Sequence, residues 1–251
     1  MLKKFRQRSY ELEHIDRGDY TAAEYEGCIA ELQLVNEWLG DSRTLKRTLF
    51  KHVAKQGLTS FSVLDVGAGS GELLRVTARW ARETGRVFRG VGLELNERSA
   101  EAIHEESTSD PEIHSVRADA MLLPFADGEF DYVICSLFTH HFVELQIINI
   151  LHEMSRVARR RIFIIDLHRH PVAYYFYITL GKLILHNRLL RSDGALSILR
   201  SFKRRELYEL ADRAELTDVV VSRHFPYRLV LSAKGEPVST TTEISLAERA
   251  A

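Results

Sequence analysis

The chain has 251 residues, 45% hydrophobic and 27% charged, with a formal net charge of -1. That is long enough for one large domain with a sizeable core, and the charge balance supplies no general attraction for nucleic acid or anionic lipid. Its two cysteines, Cys28 and Cys135, are too few and too far apart for a disulfide framework or a cysteine-ligated zinc site. The opening stretch MLKKFRQRSYELEH has no apolar run behind it and does not read as a secretory signal. No apolar segment reaches the ~18 residues needed to span a bilayer. The expectation is a cytoplasmic protein without stable membrane insertion; nothing in the pattern sets an oligomeric state.

Residues 1–57 read as a helical preface. Thr21 and Glu24 form a T-x-x-E capping box, and Ile29, Leu32, Val35, Trp38 and Leu39 follow at helical spacing up to Gly40. Ser42 opens a second helix with Leu45, Leu49, Phe50 and Val53 as its apolar stripe, ending at Gly57. Such helices can pack on a sheet edge or serve as a lid, and the sequence leaves both readings open.

From Phe61 onward strands and helices alternate, the pattern of a parallel sheet with helices on both faces. The spacing predicts strands over 61–66, 87–95, 113–117, from 130, over 162–166, 218–222 and 228–233. Helices are predicted over about 72–84, 97–107, 143–158 and 204–214. Arg159, Arg160 and Arg161 follow a helix end and read as dipole compensation on a solvated face. Residues 167–200 interrupt the alternation with VAYYFYITLGKLILH, an insertion apolar enough to need burial. It fits either a substrate cover, with Tyr174 and Tyr175 facing the acceptor, or an extra core helix. The tail over 234–251 is polar and expected to be loose.

VLDVGAGSGEL, Val63 to Leu73, puts glycines at 67, 69 and 71 between a strand and a helix. This elbow places backbone N–H groups, read as bare, at the carboxyl edge of the sheet, where nucleotide-like ligands bind. Glycine there lets a ligand approach the main chain. A dinucleotide fingerprint would require Gly or Ala at position 72, which is Glu72. With Asp65 just before the turn, the elbow suits a ligand bearing positive charge.

Read together, these positions resemble the class I S-adenosylmethionine-dependent methyltransferases over roughly residues 60–233. VLDVGAGSGEL is similar to that family's first motif, ADAMLLPF (118–125) to its adenine-contact segment, and FDYVICSLFTHHF (130–142) to its strand-four motif. The resemblance implies a Rossmann-like, seven-stranded, mostly parallel sheet with an antiparallel C-terminal strand, and S-adenosyl-L-methionine as cofactor. Glu94 stands at the position of the ribose-binding acid and can accept from both hydroxyls. Leu95 would lie against the adenine, with Asp119 and the Ala120 N–H at its edge. Gly67 and Gly69 would admit the amino-acid end, with Asp65 nearby to favour its ammonium, and Ala68 and Ser136 complete the cofactor-binding set. A capping role for Asp119 and a plain surface role for Glu94 are the structural alternatives.

His140 and His141 follow the fourth strand at the ligand edge, and histidine is suited to take a proton from a hydroxyl near neutral pH. Asp166, His168 and His170 share a face if their strand runs on. That face could join the two histidines in a metal site or in a pocket for an acidic or phenolic acceptor; no ligand spacing singles out a metal, and none is assigned. THHF, RVARRRIFIIDLHRHPVAYY and RSDGALSILRSFKRREL resemble bacterial methyltransferases of polyketide-like phenols and quinone precursors. The implied activity is O-methylation of a phenolic or enolic hydroxyl of a small molecule. C- or N-methylation on the same fold and a non-catalytic cofactor-binding protein are the alternatives; a nucleotide-dependent oxidoreductase is disfavoured by Glu72. No N/D-P-P-aromatic tetrapeptide follows the fourth strand, where base-directed members of the family carry one.

Overall fold

The computed structural model describes residues 2–28, 31, 40–181 and 185–236. Seven strands form one sheet: β1 (Ser60–Val66), β2 (Val87–Glu94), β3 (Ile113–Arg117), β4 (Phe130–Ser136), β5 (Ala158–Leu167), β6 (Val220–His224) and β7 (Arg228–Lys234), in the order β3-β2-β1-β4-β5-β7-β6. Strands β1 to β5 pair in parallel, while β7 runs antiparallel to both β5 and β6. The predicted sheet is therefore the observed one. The reversal of strand order between β1 and β4 creates the crevice in which such sheets hold ligands.

Alternation along each strand divides the core in two. Phe61 and Val63 of β1 join Leu74, Phe88, Tyr132 and Phe163 on one face. Leu64 and Val66 join Val91, Val133, Ile150 and Met154 on the other. Short helices α1 (His14–Arg17) and α2 (22–28) precede α3 (Asp41–Leu45), which continues through a π-helical turn, Lys46–Phe50, into α4 (Lys51–Lys55). This continuous helix buries Leu45, Leu49, Phe50 and Val53 in the first face, and Phe50 stacks on Trp80 with ring centroids 4.2 Å apart. It is a packing layer. Of the first predicted helix, Ile29, Leu32, Val35, Trp38 and Leu39 lie outside the described residues, as does the tail after 236.

Helices α5 (Glu72–Glu83), α6 (Glu97–Glu106) and α7 (Glu144–Val157) cover the parallel strands, and α8 (Pro171–Phe176), α9 (Arg188–Arg200) and α10 (Arg204–Arg213) follow β5. The N-terminal segment and the insertion pack on each other. Cys28 shares an apolar cluster with Leu185, Leu189 and Leu190, Arg188 pairs with Glu24 at 2.8 Å, and Asp193 accepts from the His14 and Ile15 N–H groups. The N-terminal segment and the insertion thus form one packed unit, called the cap below.

Two sequence expectations change here. Strand β5 starts at Ala158, so Arg159, Arg160 and Arg161 are strand residues. Their heads pair with Asp131 and Asp218 beside the sheet, rather than compensating the end of α7. Strand β6 sits two residues later in the chain than the spacing predicted, and β7 starts where predicted and runs one residue longer.

The cap-side sheet edge is tied to α3 by Arg228 Nε, which donates to Asp41 Oδ1 at 2.5 Å, with both side chains about 97% buried. Breaking a buried pair leaves the surviving charge without solvent or partner. Asp41→Ala is expected to lower unfolding free energy by about 3–5 kcal/mol in a denaturant titration; a loss below about 1 kcal/mol would show that Arg228 finds another partner.

Candidate active site

The elbow after β1 takes up left-handed backbone at Gly67, Gly69 and Gly71, with φ of 70°, 60° and 81°. Glycine matters at the first two for different reasons. A Cβ on Gly67 would overlap the ring of Phe138, whereas a Cβ on Gly69 would meet nothing within 4 Å. The cradle is therefore open at Gly69, while Phe138 from the β4 turn covers Gly67. Nor are the elbow's N–H groups bare, as the sequence reading supposed. Those of Gly67 and Ala68 donate to the Leu93 carbonyl at 2.9 and 3.3 Å, and that of Gly69 donates to Glu94 Oε1 at 2.6 Å.

Glu94 and Asp65 carry the electrostatic signature of the crevice. Burial pushes the Glu94 carboxyl up to about 7 against the hydrogen bonds from Gly69 and Leu95. Burial likewise raises Asp65 well above the usual range, with Glu94 and Glu72 adding to it. Asp65 Oδ1 and Ser136 Oγ, at the ends of adjacent strands, are buried and have no hydrogen-bond partner. Buried polar atoms without partners are costly. Two acids and a hydroxyl so placed fit a ligand that brings a cation and hydrogen-bond donors.

The remaining predicted cofactor residues are arranged around the same edge. Leu95, next after β2, is 64% exposed, as an apolar wall for a flat ring would be. Ala120 is buried, and Asp119 is exposed with Oδ1 accepting from the Met121 N–H at 2.9 Å. Asp119 is thus the turn cap that was its structural alternative; this bond occupies one of its two oxygens.

His140 and His141 come together on a short 3-10 turn, Thr139–His141, with ring centroids 4.3 Å apart. His140 Nδ1 lies 2.7 Å from Asp166 Oδ1, and His141 Nδ1 lies 2.8 Å from Asp16 Oδ1. Burial works to raise Asp166, but His140 and the hydrogen bonds from His140, Thr139 and Leu167 outweigh it and hold the carboxyl at about 2. An ionised Asp166 accepts the Nδ1–H, which leaves Nε2 of His140 as its free ring nitrogen. That nitrogen faces Glu13 Oε1 at 4.0 Å.

Glu13, Asp16 and Arg200 escaped the sequence reading. The guanidinium of Arg200 donates from Nε to the His140 carbonyl at 3.1 Å and from Nη2 to the His141 carbonyl at 2.6 Å, and its Nη1 pairs with Asp16. Burial pushes the Glu13 carboxyl up to about 7, and its Oε1 has no hydrogen-bond partner. Burial also opposes ionisation of Asp16, but the His141 and Arg200 contacts prevail and hold it at about 2. The segment carrying these acids shuts His140 off, leaving it 3% exposed. Ligand atoms of Glu13, His140 and His141 lie within 4.8 Å of one another and have the chemistry of a metal-binding set. Arg200 Nε, 3.7 Å from Glu13 Oε1, already supplies positive charge there, which favours acid–base work over metal binding.

The period-two face of Asp166, His168 and His170 does not form. Strand β5 ends at Leu167; His168 makes an isolated bridge with Phe202, and His170 caps α8 by accepting from the Val172 N–H. Asp166 turns to His140, while His168 and His170 line a separate groove with Tyr227. The two histidines therefore do not join His140 and His141. Tyr174 and Tyr175 pack edge-on against Phe5.

Residues 63–161, less than half of the chain, match a family model described as "Methyltransferase domain". No curated protein matches the chain. Among solved structures, an S-adenosylmethionine-dependent methyltransferase from Aquifex aeolicus is 16% identical, with a TM-score of 0.58 over 83% of this chain and 98% of its own. The CurJ carbon methyltransferase is 11% identical, with a TM-score of 0.63 over 88% of this chain but only 63% of its own length. The magnesium protoporphyrin IX methyltransferase from Synechocystis PCC 6803, solved with bound S-adenosylhomocysteine, is 16% identical, with a TM-score of 0.54 over 79% of this chain and 84% of that one. The sheet and its surrounding helices are those of the Rossmann-like methyltransferase fold.

The pKa directions set a pH dependence. Glu94, raised from 4.5 to about 7, binds a proton on folding between those values, so the stability it contributes falls as pH rises through that window. Asp166, lowered to about 2, contributes stability that is lost as pH falls through the acid range below about 4. Thermal unfolding midpoints of Glu94→Gln should decline less than those of the parent from about pH 5 to about pH 8; parallel curves would refute the buried, proton-binding Glu94.

Proposed function

We propose that this chain, whose residues 63–161 are a methyltransferase domain and whose sheet is the class I S-adenosylmethionine-dependent methyltransferase fold, transfers a methyl group from S-adenosyl-L-methionine to a phenolic or enolic hydroxyl of a small molecule. The observation that carries the reading is the pairing, at one sheet edge, of a crevice bearing orphaned acidic and hydroxyl groups with a carboxylate-oriented histidine.

When bound, the cofactor supplies an electrophilic methyl group on a cationic sulfur. Asp65 and Ser136, whose buried oxygens lack partners, would take its amino-acid end against the open face of Gly69, with Gly67 and Ala68 completing the elbow. Glu94 would exchange or share its Gly69 contact to accept from the ribose hydroxyls, and Leu95, Asp119 and Ala120 would bound the adenine. His140 is the general base. Asp166 fixes the tautomer, so that Nε2 can take the acceptor's proton as the oxygen becomes nucleophilic. His141, held by Asp16, would line the acceptor position, and Arg200 fixes the turn that carries both rings. Glu13 faces Nε2 in this closed arrangement, so acceptor binding would shift the segment that bears it.

C-methylation is the second reading. The same base would make an enolate, which can react at carbon, and a structure with this fold is a carbon methyltransferase. Nuclear magnetic resonance of the methylated product distinguishes the two.

Calorimetry with S-adenosylhomocysteine tests the cofactor site. Asp65→Ala or Glu94→Ala should weaken binding by about 1–3 kcal/mol, and unchanged affinity would remove the site. Turnover against a phenol panel tests the base. His140→Gln and Asp166→Asn should lower kcat by about 10²–10⁴-fold while S-adenosylhomocysteine still binds; full activity in both would end the base assignment.

A further inference from the structure

Where β5, the turn between β6 and β7, and the start of α10 meet, a groove of about 1560 Å³ opens at the same sheet edge. Neither the elbow nor the His140 cluster lines it. Its wall is basic. Arg6, Lys203, Arg204, Arg205 and Arg223 border it together with His168, His170 and His224, against a single lining carboxylate, Glu209. Whole-chain composition conceals this, because acidic and basic residues nearly balance, 35 against 34.

Pairing shows how much of that charge is uncompensated. Elsewhere arginines find acids: Arg82 pairs with Asp110 and Glu112, Arg156 with Asp127 and Glu153, and Arg161 with Asp218. In the groove Arg205 takes Glu209 and Arg204 lies over Tyr208. Among the described residues, the side chains of Arg6, Lys203 and Arg223 form no ion pair with a carboxylate, although the Lys203 backbone N–H donates to Glu206 Oε2 at 2.7 Å. His168 registers the resulting potential: burial, then His170, Arg223, Arg169 and Lys203, push it down to about 4. Phe5, Tyr208, Phe225 and Tyr227 add aromatic surface to the same wall.

We infer that this groove is a second ligand site, for a phosphate monoester whose remaining part is apolar or aromatic. Two guanidinium groups and an ammonium without partners match a dianion with three accepting oxygens, which guanidinium forks bind in pairs. The aromatic wall suits the body that carries the phosphate. The site lies beside the catalytic edge and does not depend on the cofactor assignment. The phosphate can reach it on a soluble ester or on a lipid headgroup.

Phenyl phosphate titrated by calorimetry tests the soluble source, and co-sedimentation with phosphatidylcholine vesicles containing phosphatidic acid tests the lipid source. The full chain should show saturable binding to at least one probe, and none to phenol or to pure phosphatidylcholine vesicles. Lys203→Ala with Arg223→Ala, both outside the proposed catalytic machinery, should weaken that binding by about tenfold or more without shifting the thermal midpoint or S-adenosylhomocysteine affinity. Binding to phenyl phosphate alone assigns a soluble ester; binding to the vesicles alone assigns a headgroup. No saturable binding to either probe up to about 10 mM phosphate, or equal binding by the double variant, overturns the site. Charge-keeping Lys203→Arg with Arg223→Lys should retain most of the affinity, so loss of fold cannot pass for loss of site.

Discussion

The carboxylate of Asp166 is fully withdrawn from water, and four donors replace the solvent: the Thr139 hydroxyl, the His140 N–H, the His140 imidazole and the Leu167 N–H. A buried charge persists only where hydrogen-bond donors take the place of water around it. This requirement pins the end of β5 to the turn after β4 and sets the direction of the His140 ring. Arg200 then holds the carbonyls of that turn, and the N-terminal acids close over it. The catalytic proposal and the cap therefore share one electrostatic anchor.

Asp65, on β1 and separated from β5 by β4, shows the opposite outcome for the same functional group. It is equally dry, yet one oxygen has no donor and the nearest charges are other acids, Glu94 and Glu72. One acid is ionised because the protein has completed its surroundings; the other is raised because they are incomplete. An incomplete acidic site in a sheet crevice is a sequence–structure conflict of the kind function leaves behind. It points to positive charge arriving from outside, which a sulfonium with an amino-acid tail provides.

Much of this was legible in the sequence because it is local. Strand periodicity, the glycine elbow and Glu94 at a strand end each lie within a single element, so residue order alone discloses them. Glu13 and Asp16 were hidden because their partners stand about 125 residues further on, and only the folded cap brings them to His140 and His141. The face of Asp166, His168 and His170 failed for a related reason. Alternation holds only while a strand continues, and β5 stops at Leu167, after which His168 and His170 follow the start of α8. The three arginines at 159–161 misled likewise, since a basic run reads as exposed until cross-strand acids such as Asp131 are placed beside it.

The position of β7 carries a consequence for biosynthesis. Among the described residues, the last strand lies inside the sheet, hydrogen-bonded to β5 on one side and β6 on the other. Until it emerges from the ribosome, the flank of β5 that bears Ile162, Phe163, Ile164 and Ile165 stands unpaired, an open template for another chain. The nascent polypeptide must therefore keep that aliphatic border from intermolecular pairing while the β6–β7 hairpin is still being translated. A chain truncated before Arg228 would be a sticky fragment rather than a smaller folded domain.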